Sequence, residues 1–287
     1  MLTIFTHAFS RSRGQILGWG LSLAILGGYL VNFYDTMAAQ QESLTELLAS
    51  YPQELMAMFG GMSEMFTPAG YLNVEFFSYM PLIIGIYAIL AGSGLLAGDE
   101  ESGILDLVLS YPLSRTALFW GRVLAFVVAM LSILLLVYVG FAVAVPRTDL
   151  GISLSELARP LLSLLSVLLF YGGLALLLSL VLPSRRLAAM TGGLLLVADF
   201  FIGTLARLDE NLEPLAEWTP LHYYQGGLAI KGLEWGWFAG LAGLAILLML
   251  LAWWRFERRD IRVAGEGGWG LRGWSLRKKQ KAVAAEV

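Results

Sequence analysis

The sequence predicts an all-α membrane protein with six transmembrane helices, and three observations carry that expectation. Of the 287 residues, 57% are hydrophobic and only 14% charged, whereas soluble domains carry about a quarter charged residues. Several apolar stretches reach the ~20 residues that cross ~30 Å of hydrocarbon as a helix, the form that satisfies every backbone N–H and C=O within one segment. Lysine and arginine fall overwhelmingly on one side once the stretches are threaded back and forth. The spans are expected at about 15–34, 76–97, 117–145, 160–182, 187–206 and 235–254.

With both termini placed inside, the inner segments hold Arg11, Arg13, Arg115, Arg122, Arg185 and Arg186. Nine more cations follow the sixth span. The outer loops hold Arg147, Arg159, Arg207 and Lys231. Fifteen against four predicts cytoplasmic termini under the positive-inside rule. Trp19, Tyr34, Trp235, Trp237, Trp253 and Trp254 stand near span ends, where rings with a polar handle prefer to sit. The first run resembles a signal peptide, but its apolar stretch exceeds a usual signal core and is expected to be retained.

The net charge of −3 averages acids gathered outside with bases gathered inside, and no nucleic-acid partner is expected. With no cysteine, disulfides, thiolate metal sites and cysteine nucleophiles are excluded. His7 and His222 lie on opposite sides under this topology, and neither HExxH nor G-x-S-x-G occurs, so neither a metal site nor an intramembrane enzyme is expected.

Residues 1–13 place Ile4, Phe5, Ala8 and Phe9 at helical spacing, which fits an interfacial helix before the first span; a frayed terminus carrying the topogenic arginines is the alternative. The first outer loop, 35–75, carries the stripe Leu44, Leu47, Leu48, Tyr51, Leu55, Met58 and Phe59, expected to lie on the outer surface and to bend at Pro52. Met56, Met58, Met62 and Met65 suit copper(I) as soft ligands, but their irregular spacing favours adaptable packing. Loop 207–234 is too apolar for a solvated connector and too broken by Pro214, Pro220 and Gly226-Gly227 for a span. Short re-entrant helices are expected there, before helix 6. The tail 261–287, with Trp269, Trp274 and its lysines and arginines, suits an anionic inner leaflet or a disordered segment.

Between the second and third spans, Asp99, Glu100 and Glu101 place negative charge at the start of a short helix. Ile104, Leu105, Leu107, Val108 and Tyr111 make it apolar, with Asp106 among them, and Pro112 stops it. Ser114 can cap the third span ahead of Arg115. At roughly 15 Å the helix cannot cross a bilayer. It either docks in a partner's groove or lies flat in the headgroups.

"AGDEESGILDLVLSYPLSRTALFWGRVLA" resembles the signature loop of ABC-2 type transporter permeases: acids, a small residue, Gly, a Leu-rich turn, then Pro-x-Ser-Arg before the third span. "TPAGYLNVEFFSYMPLIIGIYAI", "LLLSLVLPSRR" and "FERRDI" resemble the same family, so the similarity covers nearly the whole chain, and the first outer loop is long for the family's simplest members. The resemblance implies a transmembrane domain over 1–260 and a basic cytoplasmic tail over 261–287. It implies an exporter of the cell's inner (plasma) membrane, working as a homodimer or related heterodimer with two copies of a separate ABC ATPase subunit. The loop 99–115 would be the cytoplasmic coupling helix.

No G-x-x-x-x-G-K-[ST] occurs, so the chain is not an ATPase and holds no cofactor itself; ATP and Mg would sit on the partner subunit. Ile104, Leu105, Leu107, Val108 and Tyr111 would supply the buried ATPase contact, and Glu100, Glu101, Asp106 and Arg115 its orientation. The alternative is an ATP-independent channel or secondary transporter. Such proteins place ionisable groups in their spans, and Asp199 is the acid that qualifies; with His222 and Tyr223 it is the candidate for a translocation path.

Overall fold

The structure, a computed structural model, describes residues 1–39, 67–105 and 113–259. The expected surface helix of the first outer loop, its methionine group, Asp106, Leu107, Val108, Tyr111 and Pro112, and the basic tail lie outside the described residues. Among the described residues every regular element is helical. Five helices are long and apolar enough to cross a membrane, or six if one bent pair forms a single span.

Helix α1 runs unbroken over Leu2–Ala39. The expected interfacial helix is thus the first turns of the same rod, because nothing in residues 1–14 stops a helix once Gly14 is tolerated. At 1.5 Å per residue the rod is about 57 Å long, so part of it must project beyond the hydrocarbon. It buries one stripe, Ile16, Gly20, Leu23, Gly27, Val31 and Tyr34, chiefly against the third span.

The second crossing is not the simple rod expected over 76–97. Helix α2 (Pro68–Leu72) starts from Thr67, whose hydroxyl accepts from Gly70 N–H, and leads into a π-helical turn over Asn73–Phe77. A bend of 41° then separates these residues from α3 (Met80–Gly94), and a short α4 (Ala97–Glu101) follows. Pro81 supplies one cause of the bend. It has no N–H to give the Phe77 carbonyl four residues earlier, and its ring would crowd that carbonyl in a straight helix. The freed oxygen accepts from the Tyr224 hydroxyl at 2.9 Å instead.

Helix α5 (Arg115–Ala144) begins where Ser114 caps Ala117 N–H, as its sequence predicts. Close contact with α1 requires glycine at 140: a Cβ there would lie 2.5 Å from the Ala24 carbonyl oxygen. Helix α6 (Leu154–Val181) starts about two turns before the expected residue 160. Ser153 and Glu156 form a reciprocal capping box, and Pro160 lies inside the helix in its second turn, where it has no N–H to give the Glu156 carbonyl. This helix is the centre of the bundle, packing on α3, on the 3-10 turn Gly226–Ile230, and on the fifth and sixth long helices.

Those are α7 (Arg185–Leu205), capped by Ser184, and α9 (Trp235–Arg258). Between them lie a 3-10 turn Glu210–Leu212, α8 (Glu213–Ala216), and 3-10 turns Pro220–Tyr223 and Gly226–Ile230. We call the end of the bundle holding residues 95–101, 115–122 and 180–185 proximal, and the end holding 145–153 and 206–234 distal.

Candidate functional site

Three consecutive acids dominate the proximal end, and each engages a different part of the bundle. Asp99 accepts from Arg11 of α1 at 3.1 Å through Oδ1 and from Arg122 of α5 at 2.6 Å through Oδ2. Arg122 also donates to the Leu95 carbonyl at 2.6 Å. Glu100 forms an ion pair with Arg259, which follows α9, and Arg259 in turn donates to Leu180 O at 2.9 Å. Glu101 accepts from the backbone N–H of Arg185, the first residue of α7, at 2.6 Å. Arg115 donates to Arg259 O at 2.8 Å.

Local structure explains the divergence. Residues 97–101 form a single helical turn and a half, so successive side chains point about 100° apart and meet different neighbours. Asp99, Glu100 and Arg122 are buried, at 9%, 6% and 9% exposure. Charges in such a setting are held by their partners, since removing one partner strands the other at a cost of roughly 3–5 kcal/mol. The turn is therefore anchored to α1, α5, α7 and the end of α9 together.

Beyond the acids, Ile104 and Leu105 are helical where the described segment stops. Ile104 is 42% exposed, but Leu105 is 1% exposed and belongs to the chain's own core. Leu105, expected to face a partner's groove, packs its side chain within this chain's own core. Glu100, Glu101 and Arg115 likewise spend their hydrogen bonds on this chain. Sequence reasoning did not pair Arg259 with Glu100, the Arg185 N–H with Glu101, or Arg11 and Arg122 with Asp99. The signal was present: acids flanked by apolar residues, with arginines at four span ends on the same side.

At the distal end Asp199 is 4% exposed, on the α7 stripe Ala188, Gly192, Leu196 and Asp199 that faces the chain's own core. Its Oδ2 accepts from the Tyr171 hydroxyl of α6 and from Leu221 N–H at 3.0 Å. His222 and Tyr223 belong to the same turn as Leu221 but direct their rings elsewhere. Both contact Trp237, with centroids 5.9 and 5.7 Å away, and the Tyr223 hydroxyl donates to Glu217 O at 2.9 Å. The loop is fastened further by Gly227 N–H to Asn73 Oδ1 at 2.9 Å, Gln225 N–H to Ser163 Oγ at 3.1 Å, and Arg159 to Ile230 O at 2.9 Å. Burial pushes the Tyr224 phenol well above its usual range, so it remains a donor to Phe77 O at physiological pH. Among the described residues no three His, Cys, Asp or Glu side chains are grouped to hold a metal ion.

A bundle of apolar rods with one charge-clamped end and one folded-back loop defines a multi-pass membrane protein. The sequence model of the family described as "ABC-2 family transporter protein" matches residues 2–261, and the chain belongs to that family, as a membrane permease component of an ABC transporter. No curated protein matches the chain.

Proposed function

We propose that the chain is the transmembrane subunit of an ATP-driven exporter. Its proximal end faces the cytoplasm, and separate ATPase subunits, carrying ATP and Mg, dock on the segment 104–112. The active unit holds two ATPase copies and a second permease, identical or related, in the cell's inner (plasma) membrane, with residues 1–260 as the transmembrane domain and 261–287 as a basic tail on the inner leaflet.

One observation carries this reading. The acids immediately before segment 104–112 are bonded to α1, α5, α7 and the end of α9. A displacement of that segment is delivered at once to most of the long helices, as coupling to an external motor requires. ATP binding would draw the ATPase subunits together and move the two docked segments, and the clamped spans would tilt as rigid bodies around a path between the permeases. The acid on which an ATP-independent reading would rest, Asp199, has Oδ2 occupied by two donors of its own chain.

The test is co-purification of the tagged chain from its native membranes with an ABC ATPase bearing a Walker motif, with and without Leu107→Asp. The reading expects the ATPase to be retained by the parent chain and lost, or its hydrolysis uncoupled from transport, in the variant. Retention and coupled transport in both would overturn the docking assignment.

A further inference from the structure

We propose that Asp199 is a positioning residue that ties the distal segment 216–223 to α7, so that this part of the loop moves with the fifth span instead of opening alone. The proposal rests on the permease reading only for the use to which such a tie is put; the tie itself is a property of the isolated chain.

Residues 224–227 are fastened to the bent second span and to α6 through Phe77, Asn73 and Ser163. Upstream, the pattern changes. Thr219 donates through its hydroxyl to Ala216 O at 2.7 Å and through its backbone N–H to the same oxygen at 2.9 Å, and His222 N–H donates to Thr219 O at 3.2 Å. These bonds shape the segment, the Thr219 side chain also interacts with the Asp199 carboxyl, and the His222 and Tyr223 rings contact α9 at Trp237. The polar link to α7 among the described residues is made at Asp199, whose Oδ2 receives Leu221 N–H. Tyr171 donates to the same oxygen, so α6, α7 and the loop meet at one atom.

Asp199 is a costly way to make that junction. A carboxyl within a span loses its hydration, at about 2.5–3.5 kcal/mol on insertion scales. Its second oxygen, Oδ1, is buried with no hydrogen-bond partner. An orphaned buried oxygen works against stability, so what the residue contributes lies in the bonds made by its other oxygen. Those bonds join one span to one loop. The position also argues against a lining role: Leu187, Met190, Leu194 and Phe201 form the exposed face of α7, and Asp199 lies on the opposite, core-facing stripe.

The chain has no cysteine, so one introduced thiol reports alone. Ala216 is 4% exposed at the end of α8, next to the tied turn. The purified full chain carrying Ala216→Cys is treated with a water-soluble maleimide, and the labelling rate is read. Adding Asp199→Leu should raise that rate at least about tenfold, because both bonds to Oδ2 are lost. Tyr171→Phe should raise it less, about threefold, since Leu221 keeps its acceptor. Asp199→Asn should stay near the parent rate because an amide oxygen accepts both bonds. A second reporter, Ala97→Cys at the proximal end, should be unchanged in every variant, which separates release of the loop from general unfolding. Parent-like labelling in both Asp199→Leu and Tyr171→Phe would overturn the proposal. So would Asp199→Asn labelling as fast as Asp199→Leu. No ATPase subunit takes part, so the result is independent of the Leu107→Asp test of the permease reading.

Discussion

Arg259 reaches back from the end of the last long helix to pair with Glu100, in the turn that follows the second span. The two residues are 159 positions apart, and both side chains are nearly closed off from solvent, at 10% and 6% exposure. Arg259 also donates to Leu180 O and accepts from Arg115 through its carbonyl, so one residue closes the proximal end around four segments.

Breaking that pair from one side should be expensive. Arg259→Met or Glu100→Gln is expected to destabilise the purified chain by roughly 3–5 kcal/mol, because each leaves a buried charge behind. The double substitution Glu100→Gln with Arg259→Met should cost less than the sum. Thermal unfolding in detergent measures all three, and simple additivity would contradict the pairing.

The two partners of Asp99 should differ sharply. The Arg122 side chain is 11% exposed and the Arg11 side chain 69%. Arg122→Ala is therefore expected to cost several times more than Arg11→Ala, whose solvated pair is worth about 0–1 kcal/mol. The same unfolding assay ranks them, and equal losses would contradict the burial argument.

Helix contact at α1 and α5 depends on a missing side chain. Gly140→Ala would push a methyl to within 2.5 Å of the Ala24 backbone oxygen, which cannot step aside. A loss of about 1–3 kcal/mol is expected from the forced separation. Gly193→Ala on α7, where nothing lies within 4 Å, should be neutral or stabilising by about 0.5–1 kcal/mol.

Tyr224 and Pro81 should be energetically coupled. Tyr224→Phe leaves the Phe77 carbonyl unpaired and should cost about 1–3 kcal/mol. In a Pro81→Ala background residue 81 regains an N–H that can bond to Phe77 O in a straightened helix, so the cost of Tyr224→Phe should shrink. A double-mutant cycle in detergent reads the difference.

Leu105 tests how the start of the loop is packed. At 1% exposure within the chain's own core, Leu105→Ala should lower the stability of the chain without any partner, by roughly 2–5 kcal/mol. Ile104→Ala, at a site 42% exposed, should change it by a small fraction of that. Equal stability of the two variants would contradict the packing of Leu105 in the chain's own core.

Most of the architecture was legible without coordinates. Hydrophobic runs and their flanking residues located the long helices because hydrocarbon imposes one solution on any backbone that crosses it. Ser114 marked a helix start through local chemistry that tertiary packing did not override, whereas the capping box of Ser153 with Glu156, which starts α6 before the expected residue 160, went unread. The break in the second crossing was harder to see, although Pro81 stands in it, because the bend needs Tyr224 to receive the carbonyl that proline frees.

The sequence by itself determined that the chain is helical and membrane-spanning, that its cations gather toward one side, and that acids lie beside them. Tertiary structure decided which acid meets which arginine, that Leu105 is turned inward, and that Asp199 holds a loop. The physical reason is range: solvation and helix capping act on residues a few positions apart, whereas an ion pair across 159 positions exists only once the helices between have packed.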